Sequence, residues 1–185
     1  THLMQATDHL KMIKEIVDRI HSENNISIDV VFAVDDTMVR IYHRAADETL
    51  TYSLPDFSKD CMHNTALGKA YLSSLPDDLI AEKIDSMVLV AKTEKTIVDK
   101  DSLLAALGKA RTRQYAMSEE EYLPGLIAIG APLFDPISGK GVGAVSFDFS
   151  VHQQLADDIV ATYGDMIRET AGRLSELLPP DKNRW

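Results

Sequence analysis

The spacing of apolar residues near the start of the chain predicts a long first helix. Apolar positions recur every three or four residues and stop near Asn24 and Asn25, as expected for one buried stripe on a helix. These positions are Leu10, Ile13, Ile16, Val17 and Ile20. The stripe suits packing against a sheet and equally packing against a second copy of the chain.

The next segment alternates with the period of β-strands. Apolar residues occupy every second position from Ile26 to Phe32, Asp35 and Asp36 offer a turn, and "MVRIYHR" alternates again. A third short run, "TLTYSL" at 49–54, follows another turn. The pattern predicts an antiparallel meander of three strands.

Three helices are predicted in the middle of the chain. The first begins near Asn64 or Thr65, which are both good capping residues, and the second, "PDDLIAEKI", opens with a proline and two acids. The third, "DKDSLLAALGKAR", is capped by Asp99 or Asp101. Its predicted buried positions are Leu103, Leu104 and Leu107.

The last part of the chain predicts a hairpin and a long helix. The strands "YLPGLIAIGAPLF" and "GVGAVSFDF" flank the turn "DPISGKG". Ser150 and Gln153 form a capping box that opens a helix to about Leu178. Strands early and late, with helices between them and at both ends, predict an α+β fold. We expect one mostly antiparallel sheet with the terminal helices on one face and the mid-chain helices on the other.

Alternation along the hairpin separates two kinds of side chain. Val145, Phe147 and Phe149 share one face of the last strand, whereas Ser146 and Asp148 share the other. On the preceding strand the second face carries Leu126, Ala128 and Gly130. Small and polar residues under a helical lid are typical of a small-molecule cavity. They are equally consistent with a close-packed helix and a solvated Asp148, and the sequence leaves both interpretations open.

The predicted helix start adds an anion-favouring feature. Backbone N–H groups near Ala66 and Leu67 lie in the first turn, where the helix dipole favours a carboxylate. Lys69 follows one turn later and is expected to extend its ammonium group to solvent.

Composition bounds the function classes. The chain has 185 residues, 45% hydrophobic and 26% charged, and a formal net charge of −10. This indicates one folded domain rather than disorder or a membrane span, and the negative charge opposes binding to a phosphate backbone. A single cysteine and the lack of a signal-peptide pattern predict a cytoplasmic location.

Enzyme and metal chemistry find little support in the motifs. Cys61 and His63 are residue types that can form a catalytic nucleophile and its base, but the sequence contains no nucleophile-elbow motif. The six histidines show no zinc-ligand spacing, and "SGKGVG" lies in a hairpin turn rather than between a strand and a helix. We therefore expect no catalytic residue, no metal and no cofactor.

Two stretches resemble signatures of the effector-binding domain of IclR-family bacterial transcriptional regulators. "HNTALGKAYLSSLPDD" resembles the first signature, and "YAMSEEEYLPGLIAIGAPLFDPISGKGVGAVSFDFS" resembles the second, in order and spacing from about His9 to Leu178. The resemblance implies a GAF-like domain with a small-organic-acid effector under the mid-chain helices. It implies one domain over 1–185, divided into 1–25, a body over 26–178 and a tail over 179–185.

The resemblance also implies site residues. The predicted ligand-binding set is Asp60, Cys61, Thr65, Ala66, Leu67, Ser118, Leu126, Ala128, Ser146 and Asp148. Cys61 departs from a usual proline and Ala128 from a frequent cysteine, while Asp60 and Asp148 bring carboxylates to places that are often apolar or serine. One hypothesis follows: Asp148 accepts from a hydroxyl or ammonium group of an effector whose carboxylate rests on the amides of Ala66 and Leu67.

The resemblance implies a homodimer or homotetramer that reaches DNA only through an N-terminal winged helix-turn-helix domain, which we expect to be absent from this sequence. Two other classes stay open: a GAF-like oligomerisation or interaction module without a ligand, and a hydrolase or lyase using Cys61 and His63. A filled, dry cavity favours the first of these alternatives.

Overall fold

The computed structural model describes residues 2–47 and 59–179, without the side chains of residues 2–6 and Lys59. The predicted strand at 49–54 lies outside these residues. The helices are α1 (His2–Asn24), α2 (Ala66–Ser73), α3 (Asp77–Ser86), α4 (Lys100–Arg113) and α5 (Ala156–Glu176). The strands are β1 (Ser27–Val34), β2 (Thr37–Arg44), β3 (Ala116–Glu119), β4 (Leu126–Phe134) and β5 (Gly141–Ser150), and a short 3₁₀ turn covers Lys59–Cys61.

The five strands form one sheet in the order β2-β1-β5-β4-β3, and all neighbours are antiparallel. The first strand therefore lies beside the last. Ser27 is opposite Asp148, and Asp29 is opposite Ser146. The α+β class and the antiparallel sheet are as predicted.

The terminal helices α1 and α5 cover one face of this sheet with an apolar core. Phe147 is fully buried there among Ile13 and Val17 of α1 and Ile159 and Ile167 of α5. The predicted apolar stripe of α1 is thus used mainly by the sheet. Its first member, Leu10, remains 45% exposed.

Helix α2 covers the opposite face. Its residues Leu67, Ala70 and Leu72 belong to a second apolar cluster that also includes Val31 of β1 and Ala144 of β5. The close approach depends on the small residues of β4. A Cβ atom at Gly130 would lie 3.0 Å from the carbonyl carbon and oxygen of Ala66, so a larger residue would push α2 outward.

Three local predictions were wrong or incomplete. Leu104 is 43% exposed, because Leu103, Leu107 and Ala110 form the buried row of α4. Helix α5 begins at Ala156 and has no side-chain cap; the hydroxyl of Ser150 instead accepts from the amide of His152 (3.3 Å) in the turn after β5. The short edge strand β3 was not predicted.

Candidate functional site

A small cavity lies between the first turn of α2 and the inner face of β3, β4 and β5. Eight of the ten predicted site residues line it: Thr65, Ala66, Leu67, Ser118, Leu126, Ala128, Ser146 and Asp148. Tyr122, which the sequence analysis missed, completes the lining. About 10 Å³ is open to the centre of a water molecule, which is close to the room that one water requires.

The start of α2 presents backbone donors to this cavity. Thr65 is the N-cap, and its hydroxyl accepts from the amide of Gly68 (3.0 Å) and donates to the carbonyl of Cys61 (2.5 Å). The first main-chain bond of the helix runs from the amide of Lys69 to Thr65 (3.0 Å). The amides of Ala66 and Leu67 precede it and have no partner within the helix. They are the groups best placed to receive an anion.

Strand β3 holds this helix start against the sheet. The hydroxyl of Ser118 donates to the carbonyl of Asn64 (2.8 Å), directly before the cap. Ser118 therefore both lines the cavity and fixes the position of the α2 amides.

Asp148 contributes a partly buried carboxyl group to the cavity and stands beside the buried side chains of Asp29 and Ser146. The hydroxyl of Ser146 donates to it (3.2 Å), and Asp29 on β1 stands diagonally across from it on the same face of the sheet. Burial raises the pKa of Asp148 well above its usual value, and Asp29 raises it further. Oδ1 of Asp29 is itself 2.9 Å from both Nε of Arg40 and Nδ1 of His43.

Asp29, like Tyr122, was missed by sequence reasoning. A signal was present, because Asp29 is a charged residue inside an apolar strand and points away from Ile28 and Val30. What the sequence did not show is that β1 pairs with β5, which brings Asp29 to Asp148.

The remaining two predicted residues lie outside the cavity lining. Asp60 is exposed and borders a separate hollow beside Lys83 and Met87. Cys61 is buried and interacts with the hydroxyl of Tyr122. Burial, with a smaller contribution from Cys61, raises the pKa of Tyr122 to about 12.

His63 is directed elsewhere. Its Nε2 lies 3.0 Å from the carbonyl of Val90, and burial lowers its pKa. Within residues 2–47 and 59–179, its Nδ1 has no hydrogen-bond partner. The side chains of Cys61 and His63 therefore have different partners: Cys61 interacts with Tyr122, and His63 interacts with the carbonyl of Val90.

The prediction that Lys69 reaches solvent was wrong. Its ammonium group is buried and lies 2.7 and 2.8 Å from the two carboxylate oxygens of Glu121. Burial lowers the pKa of Lys69, against the opposing effect of Glu121. This ion pair joins α2 to the segment after β3.

A wider groove of about 620 Å³ lies between α4, β3 and the start of α5. Its charged lining mixes both signs, and the Lys69–Glu121 pair forms part of it. The groove is open to solvent and contains none of the predicted site residues. The small cavity is therefore the better candidate for a specific site, because its polar groups converge from α2 and β5.

No cluster of three or more histidine, cysteine or acidic side chains suited to a metal ion occurs among the residues that the structure describes. In the same residues, no helix has both the length and the apolar character needed to cross a membrane.

Comparison with known proteins connects this fold to one family. The family described as "Bacterial transcriptional regulator IclR C-terminal" matches residues 1–176. The chain is 26% identical to the HTH-type transcriptional regulator BhcR of Paracoccus denitrificans over 80% of this chain and 52% of BhcR. It is 32% identical to the HTH-type transcriptional repressor AllR of Klebsiella pneumoniae over 63% of this chain and 42% of AllR. The chain therefore spans about half the length of these relatives.

Solved structures show the same fold. Thermotoga maritima IclR has a TM-score of 0.78 at 24% identity, with 100% of this chain and 69% of that chain covered. The inducer-binding domain of a PobR double mutant from Acinetobacter, in complex with 3-hydroxybenzoic acid, has a TM-score of 0.79 at 22% identity, with 91% and 98% covered. Together with the match over residues 1–176, these likenesses show that the chain belongs to the IclR family of bacterial transcriptional regulators, as a C-terminal effector-binding domain.

Proposed function

We propose that this domain senses a small carboxylate-bearing metabolite in the cavity between α2 and the sheet. The observation that carries the proposal is the convergence of backbone donors from α2 with Ser146 and Asp148 of β5 around one cavity. Buried polar side chains cost folding free energy unless they are satisfied. Their collection at one place on an otherwise apolar face favours a binding role.

The chemistry of the cavity suits a carboxylate. Amides at a helix N-terminus are aimed at the bound group and carry the positive end of the helix dipole. Leu126 and Ala128 supply an apolar wall beside them. A compact organic acid would place its charged end on Ala66 and Leu67 and its apolar part against β4.

The small size of the cavity implies that the domain changes its conformation when an effector binds. An effector of several heavy atoms needs more room than one water, so α2 must move away from β4 on binding. The contact between Ala66 and Gly130 and the ion pair between Lys69 and Glu121 resist this movement. A ligand that favours the open arrangement shifts the equilibrium by its difference in affinity for the two arrangements.

In the complete regulator, the effector would alter how domains associate and thereby how DNA-binding domains are spaced on an operator. We propose a homodimer or homotetramer, a cytoplasmic location and no enzymatic activity. Regulators related to this chain carry a helix-turn-helix designation, and the PobR structure is of an inducer-binding domain with an aromatic acid. Both facts support the proposal by likeness alone.

A second function is favoured by one observation. The cavity is nearly filled, as expected for an interaction module that keeps the fold without a ligand. The polar lining argues against this function. Buried polar groups cost folding free energy, and without a ligand nothing would compensate for that cost.

Thermal unfolding with a panel of small acids tests the proposal. A ligand at about 100 times its Kd adds about 2.7 kcal/mol to stability, which raises Tm by about 5–11 °C for a domain of this size. Ser146→Ala should reduce the shift. The matched control is Ser22→Ala, which removes an exposed hydroxyl of α1 that donates to Asp18 and should leave the shift intact.

The test should use protein that native mass spectrometry shows to be free of co-purified ligand. No shift with any acid would contradict the sensor and favour the interaction module. Analytical ultracentrifugation of the same protein measures its mass in solution and tests the proposed homodimer or homotetramer.

A further inference from the structure

We propose that Asp148 faces the cavity as a neutral carboxylic acid, backed by ionised Asp29, and that the site thereby selects an effector offering a hydrogen-bond acceptor at this point. The inference rests on the proposed function, because it names the chemistry of the effector that the same cavity takes. It reverses the polarity of the hypothesis in which Asp148 accepts from an ammonium group.

The proximity of the two carboxyl groups comes from strand pairing. Asp29 and Ser146 are directly opposite on β1 and β5, and Ser27 is opposite Asp148. Asp29 therefore stands diagonally across from Asp148 on the same face of the sheet. Two carboxyl groups that are diagonal neighbours on one buried face repel each other when both are ionised, so we expect the pair to hold one proton.

The surroundings decide which of the two carries it. Oδ1 of Asp29 is 2.9 Å from both Arg40 and His43, and a guanidinium at this distance favours the ionised form. Among the described residues, Asp148 accepts a hydrogen bond from the hydroxyl of Ser146 at 3.2 Å, and the more distant charge of Arg40 lowers its pKa to a smaller extent. The proton therefore resides on Asp148, in agreement with its strongly raised pKa.

The groups around the pair come from four sides. Arg40 and His43 of β2 contact Asp29 from the far side, and Ser146 lies beside Asp148 on β5. Tyr122 borders the cavity, and its hydroxyl interacts with Cys61. Helix α2 contributes Thr65, Ala66 and Leu67, which carry no charged side chain. Arg40 is thus the fixed cation of the cluster, and it sits against Asp29 rather than against the cavity.

This arrangement predicts the effector's second polar group. The α2 amides and the Asp148 O–H all donate hydrogen bonds, so a molecule rich in acceptors, such as an oxo acid or a carboxylate with an ether or carbonyl oxygen, satisfies them together. An ammonium group at Asp148 would have to expel the proton first. Binding of the acid should weaken as pH rises through the pKa of Asp148, because the resulting carboxylate repels an acceptor.

The protonation state is testable without any ligand. Infrared spectra of the protein should contain the carbonyl stretch of a neutral carboxylic acid at about pH 7, well above the ordinary aspartate pKa of about 3.9. Asp148→Asn should remove that band, whereas Ser22→Ala should keep it. Absence of the band from the unmodified protein would overturn the inference, whatever the cavity binds.

The selectivity is tested with propionate, lactate, pyruvate and alanine, which share a carboxylate and differ in the group beside it, and with 3-hydroxybenzoate. We expect oxo or hydroxy acids to raise Tm more than alanine does. Asp148→Ala should weaken the best acid about tenfold, the value of roughly one hydrogen bond, and Asp148→Asn should recover most of that loss because its amide still donates.

Two further variants test the assignment of the proton. Asp29→Asn removes the negative neighbour, so the acid should lose affinity at lower pH than with the unmodified protein. Arg40→Gln removes the cation that favours ionised Asp29, so Asp29 competes for the proton and the acid should bind less tightly near neutral pH. Unchanged acid binding in Arg40→Gln would contradict the assignment. Because Arg40 is partly exposed, this variant keeps the test decisive if Asp29→Asn does not fold.

The outcomes separate the two proposals. The infrared band together with pH-dependent acid binding supports both. Selective binding of alanine that Asp148→Asn abolishes supports the sensor and overturns the acceptor-selective site. The band with no ligand bound at any pH contradicts the sensor and, with it, the selectivity proposed here.

Discussion

The two faces of the central sheet are built from the same five strands, yet they bury different chemistry. Under α1 and α5 lies an apolar core around Phe147. Under α2, an apolar cluster surrounds buried polar side chains, among them Asp29, Ser118, Ser146 and Lys69. Residues that alternate along one strand, such as Phe147 and Asp148, belong to opposite sides of this division.

The difference separates stability from function. Apolar burial contributes about 25 cal/mol per Å², whereas a buried polar group contributes little net free energy even when paired. The terminal-helix face therefore holds the fold together. The α2 face contributes less to the free energy of unfolding, because some of its buried positions carry polar side chains. Polar groups directed into a cavity are expected of a binding site.

The largest effect should come from the apolar face. Phe147→Ala should cost about 3–5 kcal/mol, because the ring is fully buried and packs edge-on against Tyr163 at 6.1 Å. Ser146→Ala, one residue away on the other face, should cost about 1 kcal/mol. Urea unfolding measures both. Equal losses would break the division of roles between the faces.

If Phe147→Ala does not fold, Phe147→Leu provides the measurement. This smaller change should still cost more than Ser146→Ala.

The second effect concerns the buried ion pair on the α2 face. Lys69→Ala leaves Glu121 without its cation and should cost about 3 kcal/mol. The side chains are only 5% and 11% exposed, so water screens the remaining charge poorly. Chemical denaturation checks the value.

The double variant Lys69→Met with Glu121→Gln should recover most of that loss, because replacing both charges leaves no unpaired ion. The glutamine keeps an acceptor for the amide of Glu119, which lies 3.0 Å from the carboxylate. A double variant as unstable as Lys69→Ala would show that this pair is a net source of stability.

Replacing Asp148 should have a smaller effect of opposite sign, because the variant should be more stable than the unmodified protein near neutral pH. The folded pKa of Asp148 is raised, so the folded state holds a proton that the unfolded state releases above about pH 3.9. Stability from this group is therefore greatest below that pH and falls as pH rises toward the folded pKa. Asp148→Asn should flatten this decline and raise Tm near neutral pH. A steeper decline in the variant would contradict the assignment.

The smallest effect compares two helix caps. Thr65→Ala removes the cap of α2 and should cost about 1 kcal/mol, measured by thermal unfolding. It should also reduce the shift caused by a bound acid, because the amides of Ala66 and Leu67 lose their fixed position. Asp99→Ala removes the cap of α4, where Asp99 accepts from the amide of Ser102 (2.8 Å). This control should leave the acid-induced shift unchanged.

Local patterns predicted most elements of the fold. Long periodic runs gave α1 and α4, and the caps Thr65 and Asp99 are each one of the two candidates predicted for that position. Strand β3 was missed because its four residues are too few to show alternation. The start of α5 was misplaced because Ser150 resembles a cap in sequence, while its hydroxyl serves the turn after β5.

The sequence by itself determined which side chains share a face, because alternation along a strand needs no knowledge of its neighbours. It separated Phe147 from Asp148 and placed small residues beneath α2. Only the tertiary structure brought Asp29 beside Asp148, since β1 pairs with a strand more than a hundred residues away. It also brought Glu121 beside Lys69, since α2 packs against the segment after β3. Such pairings depend on strand order and long-range packing, and the charge state of a buried group depends on them in turn.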